Sequence, residues 1–129
     1  MPATTYEENL LQNFRFKGAG YTPPGTWYLA LFTSAPSAAG GGTECSDGNY
    51  ARQPITWGTV ATGVAPSGAD ITFGGAGGFA GAYTVHYFAI FDAVSGTNMR
   101  IRGTVDINVS VLANQQFVVT TGNLTDSFA

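Results

Sequence analysis

Few side chains in this chain could do chemistry. Its one cysteine, Cys45, stands in GTECSDGN between Glu44 and Asp47. A thiol becomes a nucleophile when nearby cations or a helix N-terminus lower its pKa, and two flanking carboxylates work in the opposite direction. The one histidine, His86, lies in YTVHYF, where a strand pattern sets it on the face opposite Tyr87, so the thiol has no evident base. A structural thiol is expected. One histidine and one cysteine cannot supply the ligand set of a zinc site, and ECSDGN lacks the alternating oxygen ligands and closing Glu of a calcium loop. Asp92 and Asp106 are the pair considered as a glycosidase-type acid and base; Asp92, at a strand end before a turn, reads better as a turn former. These residues point to no catalytic group, no metal and no cofactor.

Three further patterns fail on context. GAGGFA (75–80) follows a strand and fits GxGxxA, but dinucleotide binding needs a helix to open there, and YTVHYFAIF is strand. Asn108-Val-Ser110 and Asn123-Leu-Thr125 match the glycosylation pattern, which has no meaning without a secretory route. Trp27, Trp57 and several tyrosines could form a stacking platform for sugars. Trp27, Tyr28, Phe88, Phe91 and Phe117 read instead as core, and Trp57, ending a strand with edge character, is left open between the two.

The elements that would carry these residues are legible from periodicity. Thr4 with Glu7, or Thr5 with Glu8, fits a capping box. Tyr6, Leu10 and Phe14, with Leu11, form an apolar stripe, Arg15 and Lys17 suit the negative end of a helix dipole, and Gly18 offers a left-handed stop. A helix over about 4–17 follows, with its stripe expected to cover the sandwich; the alternative is an outward docking stripe. Beyond Pro23-Pro24 the period becomes two. Strands are expected at 26–34, 50–57, 69–73, 82–93, 99–109 and 115–125, with a long Gly-rich loop at 35–49. Pro54 has no amide for a ladder and assigns its strand to an edge or bulge. In 82–93, Tyr83, Val85, Tyr87, Ala89 and Phe91 are expected on one face. In 99–109, Ile101, Gly103, Val105, Ile107 and Val109 alternate against Arg100, Arg102, Thr104, Asp106 and Asn108, giving one dry and one wet face. The fold class is mainly β: a single antiparallel β-sandwich, jelly-roll-like, with one short N-terminal helix, forming one domain over 1–129.

Bulk composition narrows the function classes. Only 10% of the 129 residues are charged and 18 are glycine, against about 25% charged and about 7% glycine in ordinary soluble domains. So little surface charge protects poorly against association, which suits a chain covered by neighbours; a β protein with long Gly/Ser/Thr loops would show it too. The net charge of −3 and five scattered basic residues give no stripe for a phosphate backbone, so nucleic acid is not an expected partner. No run approaches the roughly 20 apolar residues of a membrane span, and MPATTYEENLLQNF lacks the basic start and apolar core of a secretory signal. Synthesis in a cytoplasm, without export by the usual route, is the expectation.

Three motifs carry a resemblance across nearly the whole chain: YLALFTSAP (28–36), Gly42 and Glu44 leading to YARQ (50–53), and FDAVSG (91–96). Together they resemble a family of small virion structural proteins of tailed bacteriophages and prophages, labelled tail-fibre-like or decoration-like. The resemblance implies a β-sandwich without catalytic activity, made in the bacterial host and present in many copies on the particle. The implied function is a capsid decoration (cement) protein that binds and stabilises the capsid lattice, with the major capsid protein and further copies of itself as partners. A tail, head-fibre or baseplate component, or a carbohydrate-binding adhesin, is the alternative. One departure is FGGAGGFAGA (73–82), less tidy than the family pattern and expected to be an exposed arm. The loop would drape over a neighbouring subunit, with interface candidates Glu44, Asp47, Tyr50, Arg52 and Trp57; Arg52 would reach an acid across the contact.

Overall fold

A computed structural model describes residues 3–46 and 48–127, and only the backbone of 106–108 and 127. The order of elements is helix α1 (Thr5–Lys17), then strands β1 (Trp27–Ser34), β2 (Thr43–Glu44), β3 (Gln53–Ile55), β4 (Val64–Pro66), β5 (Ile71–Phe73), β6 (Tyr83–Phe91), β7 (Met99–Val111), β8 (Phe117–Val119) and β9 (Thr125–Ser127). The expected class holds: antiparallel β with one leading helix. In the large sheet β2 and β3 both pair with β1, followed by β6 and β7. Two short ribbons, β4–β9 and β5–β8, form the second layer. Pro54 sits in β3, opposite Tyr28, on a strand that pairs only with β1 among the described residues, so its missing amide disrupts no central ladder.

Strand β1 is apolar on both sides because the sheet is covered on both. Leu29 and Leu31 enter a core with Ile71, Phe73, Phe79, Ile90, Phe117 and Leu124, which joins the large sheet to the ribbons. Ala30 and Phe32 turn to a smaller cluster with Ala89, Phe91 and Met99. Cys45, 3% exposed, belongs to the larger core.

Several expectations need correction. The pairing of β6 with β7 steps from Val85↔Val109 to Tyr87↔Thr104, two residues against five, so β7 bulges there and the alternation slips. Val85 joins the larger core while Tyr87 packs on the other cluster, and the single face proposed for 83–91 is split. Arg100, expected on a wet face, is 6% exposed. The proposed strand at 115–125 divides into β8 and β9, turned near Gly122 (φ +85°), and β2 and β4 arise where only loop was expected. The FGGAGGFAGA arm is instead tied in: Phe79 is 1% exposed, its amide donates to Gln115 O, and its own carbonyl accepts from Asn114 N. A Cβ on Gly78 would stand 2.4 Å from Asn114 C.

The helix begins as expected and packs differently. Thr4 is the N-cap, its hydroxyl accepting from the Glu7 amide at 3.4 Å, and Gly18 closes the last turn at φ +67°. Thr4 Oγ1 also donates to Met99 O at 2.5 Å, and its amide to Arg100 O at 2.9 Å. Glu7 is the buried residue of α1, whereas Tyr6 and Phe14 are 45% and 52% exposed and Leu10 and Leu11 half-buried. The stripe does not cover the sandwich, because the helix meets the body through a charged contact on β7.

Candidate functional site

The three sequence motifs singled out above converge on one guanidinium. Gly42, at φ +81°, carries the chain so close to the preceding strand that an added Cβ would stand 2.9 Å from both Pro36 N and Ser34 O. That tight passage lets β2 pair with the end of β1, Glu44 opposite Phe32. The Glu44 carboxylate then accepts from Arg52 twice, Nε to Oε2 at 3.0 Å and Nη2 to Oε1 at 2.9 Å. This is the two-pronged geometry in which Arg binds carboxylate best. Arg52 Nη1 donates to Ala93 O at 3.3 Å and Nη2 to Gly96 O at 3.0 Å. Beneath lies the Phe91 ring, its centroid 3.5 Å from the guanidinium carbon. Three positions of FDAVSG thus contribute to this cradle, Phe91 through its ring and Ala93 and Gly96 through their backbone carbonyls.

Tyr50 locks the cradle to the core. Its ring stacks on Phe73 and Phe79, with centroids 6.0 and 6.4 Å away. Its hydroxyl donates to Glu44 Oε2 at 2.6 Å and accepts from Leu31 N at 3.1 Å. Burial, then the hydrogen bond to Glu44, pushes its pKa well above the usual tyrosine range, so the phenol stays protonated.

A second charged cluster ties the helix to the sheet. Arg100 Nη1 donates to Glu7 Oε2 at 2.5 Å, and Asp92 Oδ2 lies 3.3 Å from its Nη2. Tyr21 donates to the other Glu7 oxygen at 2.5 Å. Burial first, then Glu7, pushes the Tyr21 pKa up to about 12. For Arg100 burial works against the charge, and Glu7 and Asp92 more than offset it, raising its pKa. Sequence reading missed this cluster. Glu7 looked like a capping-box carboxylate, and Arg100 stood in clean alternation with residues of a wet face.

The remaining candidates divide. Glu44, Tyr50 and Arg52 meet, and Arg52, expected to seek an acid across an interface, is paired within its own chain. The loop that was to drape outward is folded back: Ser37 and Gly40 exchange amide-to-carbonyl bonds at 2.9 Å, and Cys45 N donates to Leu31 O at 2.9 Å. Trp57 is half-buried, packs on the larger core and bridges to Ser67. Asp47 lies outside the described residues. Asp92 is engaged by Arg100, and the Asp106 side chain, its once-considered partner, lies outside them too. His86 is half-buried beside the Tyr87 ring. Among the described residues no three His, Cys, Asp or Glu side chains are grouped to hold a metal, and no helix is long and apolar enough to cross a membrane. The Glu44 carboxylate accepts three hydrogen bonds from its own chain, two from Arg52 and one from Tyr50, and so ties β2 to the 50–53 segment.

Comparison with known protein families gives a match to the model described as Podophage GP4 fiber I protein gp80, over residues 2–127. No curated protein matches the chain.

Proposed function

The chain belongs to the family of podophage GP4 fiber I protein gp80, matched over residues 2–127, and from that premise we propose that it is a non-enzymatic fibre component of the phage particle. Membership in the family makes it a phage virion structural protein; the fibre position and the absence of catalysis are the finer reading. The observation that carries it is the Glu44–Tyr50–Arg52 cradle. The residues most reminiscent of virion proteins are spent on holding β2, the 50–53 segment and the 92–96 turn together. Such use suits a small domain whose task is to keep its shape in an assembly.

A second reading, decoration of the capsid lattice, draws on the low charge of the chain, 10% of residues. Under that reading the major capsid protein is the partner, whereas a fibre component contacts other fibre or tail subunits. Antibody-labelled electron microscopy of intact particles separates them. Label on appendages supports the fibre reading, and label spread over the head shell replaces it with decoration.

A further inference from the structure

The helix is attached to the body unlike any strand. Among the described residues neither apolar cluster of the core contains a residue of α1, and Glu7 is the buried residue of the helix. Its seat is polar and specific. Glu7 pairs with Arg100, Thr4 bonds through its hydroxyl to Met99 O and through its amide to Arg100 O, and Thr5 N donates to Ala38 O at 2.9 Å. Ala3 adds an antiparallel bridge to Ile101. What fits this seat on β7 is therefore shown: the helix α1 with its cap.

The residues after the helix fold back on the helix. Ala19 N donates to Asn13 O at 3.2 Å, the Tyr21 ring lies 6.2 Å from that of Phe14, and the Tyr21 hydroxyl donates to Glu7. Residues 3–21 thus form one unit, an arm. Thr22-Pro23-Pro24-Gly25-Thr26 joins it to β1, exposed at every position except a half-buried Pro24. Both ends of this hinge stand at one guanidinium: Tyr21 through Glu7, and Trp27 with its ring centroid 5.6 Å from the Arg100 carbon. The hinge therefore makes a tight return. Its composition favours a straight course, because proline fixes its own φ and drives the residue before it to extended backbone.

We propose that residues 3–21 are an exchangeable arm. In a reciprocal dimer the hinge straightens and the arm of each copy takes the seat on β7 of the other, Glu7 of one copy pairing with Arg100 of the second. The contacts of the seat are the same in both forms, so the balance between them rests on the hinge and on the local concentration of copies. Five extended residues reach at most about 17 Å, so exchange requires two bodies side by side, as neighbouring copies in an assembly are. The inference goes beyond the fibre reading and is tested in solution without particles, so either can fail alone.

Spin labels at exposed positions test it. Thr5 and Asn98 line one small cavity where the arm meets the body, and Cys45 is buried and takes no label. Chains carrying Thr5→Cys or Asn98→Cys are labelled separately, mixed, unfolded and refolded together at high concentration, and the dimer is isolated by gel filtration. It is expected to show the same short label-to-label distance as a single chain carrying both substitutions. A dimer without that distance overturns the proposal, and so does a chain that stays monomeric. Glu7→Arg and Arg100→Glu should each weaken the dimer at least tenfold alone and form a one-to-one complex when mixed, since exchange then sets opposite charges together at both seats. Should either charge variant fail to fold, the labels still decide.

Discussion

At the scale of single residues, stability is concentrated where charge is buried. Arg52, its side chain 10% exposed, satisfies Glu44 and two turn carbonyls, so removing it leaves acceptors without donors. Breaking a buried pair from one side costs about 3–5 kcal/mol; with Glu44 partly open to water, Arg52→Ala is expected to lower unfolding free energy by about 2–3 kcal/mol in denaturant titration. Arg52→Lys should recover less than half of this, because an ammonium cannot span both carboxylate oxygens and lie flat on Phe91. Alkaline pH strikes the same clusters. Tyr50 and Tyr21 both have raised pKa values in the fold, Tyr21 about 12 against 10.0 for the free side chain. Above pH 10 the unfolded chain releases these protons while the native chain keeps them, so stability falls as pH rises. The contribution of Tyr21 is complete below pH 10 and lost as pH passes through about 12. Denaturation midpoints measured from pH 9 upward should decline, and Tyr21→Phe and Tyr50→Phe should each flatten the decline.

At the scale of elements, the helix and the 35–49 segment show what local pattern reveals and what it hides. Gly42 and its neighbour Gly41 share a left-handed backbone, φ +81° and +82°, but only Gly42 has backbone atoms where a Cβ would go. Gly41→Ala should cost about 1 kcal/mol of conformational strain, and Gly42→Ala clearly more, with loss of the β2 pairing; thermal unfolding of the two variants checks the difference. Thr4→Ala removes the cap and the bond to Met99 O, at an expected cost of about 1–2 kcal/mol. The cap, the Gly18 stop and strands β1, β5, β6 and β7 were legible because capping chemistry and alternation are local. The face switch after Val85 was not, since it depends on a five-residue stretch of the partner strand. Nor was the burial of Arg100, whose partners Glu7 and Asp92 lie 93 and 8 residues away. Of the interface candidates, Glu44, Tyr50 and Arg52 meet one another within the chain, whereas the sequence led us to expect Arg52 to reach an acid across a contact; the grouping depends on β2 folding back on β1, which no local pattern shows.

At the scale of the whole molecule, a small sandwich-like body with one mainly polar helix and few charged residues belongs to a family of phage fibre proteins. Five of its charged residues, Glu7, Glu44, Arg52, Asp92 and Arg100, are paired inside the fold. The account turns on its place as a fibre component of the virion. The most direct measurement is quantitative mass spectrometry of purified particles, giving copies of this chain per major capsid protein. The account predicts a small fixed number per particle, consistent with the copies in a set of fibres. A ratio matching the capsid lattice would contradict the fibre placement in favour of decoration, and absence from the particle would contradict the virion role itself.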